Sequence, residues 1–191
     1  MSKILMDKKV IKSMEEINRV MIGKERTVHQ IMTAILAGGH VLIEDIPGVG
    51  KTTLALAFSK VLGLSYQRIQ FTPDIMPTDI AGFSIYHQGS EEFEFKEGAA
   101  MTNLLLADEI NRTSPKTQSA LLEAMEEGQI TVDGITRDLP DPYIVIATQN
   151  PLETTGTFPL PEAQLDRFFA KLSMGLPDKK EEVGILKRFI L

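Results

Sequence analysis

A glycine-containing loop between an apolar run and a helical segment constrains this chain more than any other feature. Residues 41–53 read VLIEDIPGVGKTT, so a turn with Gly48 and Gly50 leads directly into Lys51 and two threonines. Glycines let successive backbone N–H groups point into one cavity, and a following helix adds the positive end of its dipole. The stretch therefore predicts a phosphate-binding loop, in which Lys51 reaches the β- and γ-phosphates and the Thr52 hydroxyl binds Mg²⁺.

The loop departs from the usual G-x-x-x-x-G-K-[ST] pattern at its first position, where Asp45 replaces glycine. Aspartate tolerates the left-handed backbone region better than most residues, so the loop geometry stays accessible. The alternative interpretation is a Gly/Pro turn with a solvated lysine, and motifs further along the chain have to decide between the two. The residues expected to surround the phosphates are Asp45, Ile46, Pro47, Gly48, Val49, Gly50, Lys51, Thr52 and Thr53.

Composition limits the other classes of function. The chain has 191 residues, of which 43% are hydrophobic and 24% charged, as in one ordinary globular domain. A net charge of −6 argues against a strongly nucleic-acid-binding surface. The absence of cysteine excludes disulfides and a thiolate nucleophile, and it is compatible with the cytoplasmic location that we expect. No apolar run approaches the roughly 18–20 residues that a membrane span needs.

Hydrophobic periodicity predicts helices alternating with strands. Helices are expected over residues 6–20, 24–36, 54–62, 115–127, 161–169 and 178–191, and strands over 41–43, 66–71, 103–107, 143–148 and 170–174. Two hairpins are expected, over residues 83–95 and 130–137, and the prolines and glycine of residues 72–82 exclude a regular element there. Such alternation is typical of a three-layer α/β fold with a parallel sheet, whose ligands bind outside the carboxyl ends of the strands.

Two histidines, His29 and His40, stand apart from any cluster of metal-ligand residue types. A lone histidine in such a setting is more often a surface residue, or a core residue with its hydrogen bonds satisfied, than a metal ligand. We expect these two to follow that pattern.

Polar residues follow two of the predicted strands at the edge where a ligand would bind. Asp108 and Glu109 end the apolar run at residues 104–107, and Asn150 follows the strand at residues 143–148. Asp108 is suited to hold Mg²⁺ and Glu109 to polarise an attacking water, while Asn150 could hydrogen-bond the γ-phosphate or that water. A helix cap or a solvated turn would also explain an Asp-Glu pair taken alone, but its place beside a phosphate loop favours hydrolysis.

These three motifs resemble the Walker A, Walker B and sensor-1 motifs of AAA+ ATPases. Residues 107–127, ADEINRTSPKTQSALLEAMEE, look like the MoxR family in particular. So do ATQNP at residues 147–151 and FPLPEAQLDRF at residues 158–168. The resemblance covers nearly the whole chain.

The resemblance implies a P-loop NTPase core with a five-stranded parallel sheet of order 5-1-4-3-2. The hairpins at residues 83–95 and 130–137 would be the helix-2 insert and the hairpin before sensor 1. Residues 1–176 would form the nucleotide-binding core with its N-terminal helix, and residues 177–191 would begin a helical lid that the chain leaves incomplete. Ile22 and Gly23 would lie against the adenine.

The resemblance also implies an ATPase that converts ATP and water to ADP and phosphate with Mg²⁺, acting in a ring that is usually hexameric. Arg167 would be an arginine finger for the neighbouring subunit, unless it forms a structural salt bridge with Asp166 or Glu162, and Arg112 is a rival interface arginine. The client would be a protein complex, and the resemblance also implies a partner with a von Willebrand A domain. A DNA-directed motor of the helicase type and a nucleotide switch that does not hydrolyse ATP remain alternatives.

Overall fold

The computed structural model describes residues 7–89, 91–152 and 156–190, with side chains as far as residue 187. Its strands are β1 (His40–Glu44), β2 (Tyr66–Gln70), β3 (Gly82–His87), β4 (Glu92–Glu97), β5 (Leu104–Asp108), β6 (Gln129–Val132), β7 (Ile135–Asp138), β8 (Ile144–Gln149) and β9 (Phe168–Leu172). Its helices are α1 (Lys8–Val20), α2 (Glu25–Leu36), α3 (Lys51–Leu62), α4 (Pro77–Ala81), α5 (Pro115–Glu127), α6 (Glu162–Leu165) and α7 (Lys179–Ile190). Residues 6 and 191, the expected ends of the first and last helices, lie outside the described residues.

Five strands form one parallel sheet in the order β2-β5-β8-β1-β9. When these five strands are numbered 1 to 5 in chain order, the order is 2-3-4-1-5, which is the predicted 5-1-4-3-2 read from the other edge. The fold class and the strand order are therefore confirmed. The order places β8 between the strand that enters the phosphate loop and the strand that ends in Asp108. The carboxyl ends of these three strands therefore meet at one edge of the sheet.

Apolar packing on both faces of the sheet produces the three layers. Along β1, Val41 and Ile43 enter the core formed with α1, α2 and α3, whereas Leu42 enters the core beneath α4 and α5. The same alternation divides the apolar residues of β5. Because successive side chains point to opposite faces, a strand buried on both sides needs an uninterrupted apolar sequence.

Both predicted hairpins are present beside the main sheet. Strands β3 and β4 pair antiparallel, as do β6 and β7. Asp133 and Gly134 both have positive φ, as a two-residue hairpin turn requires. The Arg137 guanidinium lies 3.9 Å from the centre of the Phe95 ring, so a cation–π contact joins one hairpin to the other.

The prediction of no regular structure in residues 72–82 is wrong, because this segment contains the short helix α4. Pro77 occupies the first helical position, where its missing N–H costs nothing. Asp79 accepts a hydrogen bond from Met76 N at 2.8 Å, and Ile80 is fully buried. Proline therefore starts a helix here, and tertiary burial of Ile80 stabilises it.

The predicted helix at residues 161–169 is too long, and the last strand is displaced toward the N-terminus. Only Glu162–Leu165 is helical, and Phe168 already pairs with His40 of β1 in the sheet. Phe168 is buried and Phe169 is exposed, as alternate residues of a strand are. Since both are apolar, this alternation cannot be seen in the sequence. The ladder ends at Leu172 because the N–H groups of Met174 and Gly175 donate to the Asp45 carboxylate instead.

His40 is a core histidine with both ring nitrogens hydrogen-bonded, in agreement with one of the two expectations for it. Its Nδ1 accepts from Val145 N at 3.0 Å, so its Nε2 carries the proton and donates to Met125 O, also at 3.0 Å. The ring thus joins the start of β1 to β8 and to the end of α5. His29 is exposed on α2.

The buried imidazole makes stability depend on pH. Burial lowers the pKa of His40, with the bond to Met125 acting in the opposite direction. The unfolded chain therefore binds this proton at higher pH than the folded chain, near pH 6.5. We expect the free energy of unfolding to fall by up to about 1.4 kcal/mol per pH unit below pH 6.5, until the folded pKa is passed.

Denaturant titrations between pH 7.5 and pH 5.5 test this, with His40→Gln compared with His29→Gln. The loss of stability on acidification should shrink in His40→Gln and persist in His29→Gln. Equal pH dependence in His40→Gln and the wild type would contradict the assignment.

Candidate functional site

The predicted phosphate loop, residues 45–50, connects β1 to α3 and leaves the first N–H groups of that helix open. Gly48 and Gly50 have φ values of 89° and 93°, which other residues rarely adopt. Gly50 is the residue before α3, and no side chain caps the helix there. The N-terminal end of a 12-residue helix thus faces the loop, as anion binding requires.

Lys51 is buried at the base of the loop. Its Nζ donates to the backbone oxygen of Asp45 at 2.8 Å, across the loop from its own position. Burial lowers the pKa of Lys51, and three carboxylates around it, led by Asp108, act in the opposite direction. The ammonium group therefore lies inside the loop, bonded to a neutral carbonyl.

Thr148 fixes the position of Asp108 and of the backbone after it. Its hydroxyl donates to Asp108 Oδ1 at 2.6 Å and accepts from Glu109 N at 2.9 Å. The residue is fully buried in β8. Arg68 of β2 holds the other carboxylate oxygen, Asp108 Oδ2, at 2.7 Å.

Glu109 takes up a left-handed backbone conformation, with φ of 60°, immediately after β5. Its Oε2 accepts from Gln70 Nε2 at 2.8 Å and from Arg112 Nη1 at 2.9 Å. Both donors hold one carboxylate oxygen, so the orientation of Glu109 is set by β2 on one side and by the turn after β5 on the other.

Asn150 follows β8, between β1 and β5, as the sequence predicts. Its Oδ1 accepts from Leu152 N at 3.1 Å, and its backbone oxygen accepts from Asn111 Nδ2 at 3.5 Å. The residue lies where the carboxyl ends of β1, β5 and β8 meet, and its contact with a phosphate or a water stays a prediction.

Two adjoining cavities open around the loop. The polar one measures about 390 Å³, and the apolar one about 430 Å³. The polar cavity is lined by Pro47, Gly48, Gly50, Lys51, Thr52, Thr53, Arg68, Gln70, Asp108 and Glu109. The apolar cavity is lined by Val20, Met21, Ile22, Lys24, Gly48, Val49, Gly50, Thr53, Pro177 and Ile185. Since Gly48, Gly50 and Thr53 line both, the arrangement suits a ligand with a charged end and an apolar end.

Ile22 lines the apolar cavity, while Gly23 packs against helix α7. A Cβ added to Gly23 would lie 2.0 Å from Glu181 Oε1, so the end of this side chain of α7 rests against the turn, and the φ of 71° at Gly23 favours glycine there. The expectation that these residues contact an adenine stays a prediction for both.

The donor set of the polar cavity fits Mg²⁺ bound together with phosphates. The Thr52 hydroxyl and the Asp108 carboxylate both line the cavity, and both are hard oxygen ligands. In the part of the chain that the structure describes, no three His, Asp or Glu side chains are grouped to hold a metal ion. A metal here would thus rely on phosphate and water oxygens, which is how Mg²⁺ is usually held.

Arg167 lies just before β9 begins, at the amino ends of the strands, whereas the candidate site lies at their carboxyl ends. It pairs with Glu126 at 2.6 Å, rather than with Asp166 or Glu162 as the salt-bridge alternative supposed. A strand of five residues is about 16 Å long, so Arg167 is far from the phosphate loop of its own chain. Arg112, by contrast, contacts Glu109 within its own site.

Sequence reasoning missed four residues that organise this site: Lys24, Arg68, Gln70 and Thr148. Arg68 and Gln70 were detectable in principle, because alternate residues of β2 share a face and β2 neighbours β5. Thr148 is the last fully buried residue of β8, next to the strand ends where the polar residues lie. A hydroxyl at that position is suited to hydrogen-bond them. Lys24 carries no signal in the sequence that separates it from a surface lysine.

No helix among the described residues is both long enough and apolar enough to cross a membrane.

Comparison with known proteins identifies close relatives. Residues 40–170 match the model of the ATPase family associated with various cellular activities (AAA). The uncharacterised protein YeaC of Bacillus subtilis is 59% identical over 92% of this chain and 55% of its own length. Chaperone MoxR1 of Mycobacterium tuberculosis is 49% identical over 91% of this chain and 46% of its own length.

A crystal structure described as a candidate ATPase from Cytophaga hutchinsonii superposes with a TM-score of 0.86. It is 42% identical, and the match covers 95% of this chain and 55% of that one. The chain thus spans about half the length of the proteins that it matches.

Replacing Thr148 by valine tests the anchor of Asp108 and Glu109. Valine keeps the shape but leaves a buried carboxylate oxygen and a partly buried N–H without their partner. We expect the free energy of unfolding to fall by about 1–3 kcal/mol in denaturant titrations. Thr148→Ser, which keeps the hydroxyl, should lose less, and a larger loss in Thr148→Ser than in Thr148→Val would contradict the role.

Proposed function

Because this chain belongs to the MoxR family of AAA+ ATPases, we propose that it binds ATP with Mg²⁺ and hydrolyses it to ADP and phosphate. One observation carries the proposal: Lys51, Thr52, Asp108 and Glu109 line a single polar cavity that adjoins an apolar one. The phosphates would occupy the first and the base the second, against Ile22.

Binding rests on the loop and on Lys51. The open N–H groups at the start of α3 would hold the β-phosphate, as helix N-termini hold anions. Lys51 would exchange its bond to the Asp45 carbonyl for one to the β- and γ-phosphates. A charged phosphate oxygen is a stronger acceptor than a neutral carbonyl, so this exchange is favourable.

Thr52 and Asp108 would hold Mg²⁺, which neutralises charge on the phosphates when bound. Asp108 keeps its orientation through Thr148, whose hydroxyl donates to Oδ1. The residues of this chain thereby fix the geometry, and phosphoryl transfer depends mainly on such positioning.

Glu109 would act as the general base. A water oxygen forms a bond to the γ-phosphorus, its proton passes to the Glu109 carboxylate, and the bond from that phosphorus to the bridging oxygen of ADP breaks. Since Gln70 and Arg112 both hold Oε2, Oε1 is the oxygen that we propose takes the proton. Asn150 would bind the γ-phosphate or the attacking water.

The finer assignments concern assembly and the client. We propose that Arg167 reaches the site of a neighbouring copy in a ring, since it lies at the opposite sheet edge from its own site. Residues 1–176 would form the core of each subunit, and residues 177–191 would begin its lid. The chaperone name of one relative supports remodelling of client protein complexes as the purpose of hydrolysis.

The hairpins favour a protein client over DNA. Arg137, the basic residue of the β6–β7 hairpin, lies on Phe95 and donates to Val132 O and Ile135 O. It is therefore occupied within the chain and poorly placed for a phosphate backbone. The β3–β4 hairpin carries several glutamates, which would repel nucleic acid.

Glu109→Gln tests hydrolysis separately from binding. We expect ATP turnover with Mg²⁺ to fall about 10²- to 10⁴-fold, the usual contribution of a general base, while binding of labelled ATP is kept. Glu123→Gln, an exposed change on α5, is the matched control and should keep both. Equal turnover in Glu109→Gln and the wild type would remove Glu109 from this role. Binding without turnover in the wild type would favour the nucleotide switch.

Mixing two inactive variants tests the finger. Arg167→Ala and Glu109→Gln should each hydrolyse ATP poorly alone. In a mixture of the two, a Glu109→Gln copy can supply its Arg167 to a neighbouring Arg167→Ala copy, which still has Glu109. Turnover at such sites should return in part. Glu126→Gln, which removes only the partner of Arg167 within the chain, should keep activity. No recovery on mixing, or a strictly monomeric mass in solution with ATP, would contradict a finger acting between copies.

A further inference from the structure

Asp45 binds the chain just beyond β9 with a single buried oxygen. Its Oδ2 accepts from Ser173 Oγ at 3.1 Å, from Gly175 N at 3.1 Å and from Met174 N. The residue is 8% exposed, so water contributes little to stabilising its charge. The glycine usual at this loop position could make none of these bonds.

Lys24 holds the same segment from its carbonyl side. Its Nζ donates to Met174 O at 2.8 Å and to Gly175 O at 2.9 Å, and the residue is 6% exposed. The peptide groups of residues 174–175 therefore point their N–H ends at an anion and their C=O ends at a cation. A buried charge is stable only with such partners, so each of the two side chains depends on this short segment.

The segment lies where three parts of the candidate site meet. Asp45 begins the phosphate loop, and its backbone oxygen accepts from Lys51. Lys24 lines the apolar cavity, next to Ile22. Helix α7 begins soon after residue 175, and its Gly184 lies 3.5 Å, measured from an added Cβ, from the Ile22 side chain.

We propose that Asp45 and Lys24 form a latch through which the phosphate loop and α7 hold each other in position. Asp45 is thus a positioning residue that acts through residues 173–175. The use of the latch rests on the proposed function: when Lys51 leaves the Asp45 carbonyl for a phosphate, the shift of Asp45 passes through its carboxylate to the segment that precedes α7.

Hydrogen exchange of the nucleotide-free chain tests the latch. Asp45→Gly should raise exchange at residues 174–187 by about tenfold or more, the effect of losing hydrogen bonds to a charged group. The Lys24 ammonium donates to residues 174 and 175 rather than to the loop, yet Lys24→Met should raise exchange at residues 46–51 as well. Glu44→Gln is the control, because it removes a neighbouring carboxylate whose partners are Gln149 and Lys171. It should change exchange neither at residues 46–51 nor at residues 174–187.

Asp45→Asn keeps an acceptor oxygen and should restore much of the protection at residues 174–175. Strand β8 serves as the reference for general destabilisation. If exchange at residues 174–187 in Asp45→Gly rose no more than exchange in β8, the latch would be overturned. A Lys24→Met effect confined to residues 173–178 would also overturn it.

Adding ADP with Mg²⁺ separates the two proposals. In the wild type, protection should appear at residues 46–51 and also at residues 174–187, whereas Asp45→Gly should show it at the loop alone. Protection of both regions in Asp45→Gly would overturn the latch. No protection anywhere in the wild type would contradict nucleotide binding, and the nucleotide-free comparison would still decide the latch.

Discussion

Burial of both faces of the parallel sheet is the constraint on which the candidate site depends. The central strands β1, β5 and β8 are apolar along their length because helices cover them on both sides. Polar side chains are therefore confined to the strand ends, and in a parallel sheet the carboxyl ends share one edge. With β8 between β1 and β5, Thr148 is placed to bind both Asp108 and the backbone of Glu109.

Charge balance within that edge prepares the site for an anion. The two carboxylates that line the polar cavity each have a charged donor: Asp108 has Arg68, and Glu109 has Arg112. Lys51 differs, since its bond goes to a neutral backbone carbonyl. A hydrogen bond between two charged groups is stronger than one to a neutral acceptor, so Lys51 is the cation of this set that a phosphate would recruit at least cost in the proposed function.

Errors in the sequence-based fold occur where tertiary contacts outweigh local signals. The prolines of residues 72–82 predicted that no helix forms there, but Pro77 is favourable at the first position of α4. Burial of Ile80 then stabilises this short helix. The apolar pair at the start of β9 resembled the end of a helix, although its two side chains face opposite sides of a strand. Such segments are too short for periodicity to separate helix from strand.

The sequence by itself determined the fold family, the glycine-containing loop between β1 and α3 and the place of the Asp108-Glu109 pair at the end of β5, because these depend on residue types at short and fixed spacings. Tertiary structure alone decided the partners of those residues: Gln70 on Glu109, Glu126 on Arg167, and Ser173 with Lys24 around the segment that Asp45 holds. These contacts join residues far apart in the chain, and they depend on strand register and on burial. A carboxylate or an ammonium group looks the same in the sequence whether water or a distant backbone group stabilises its charge.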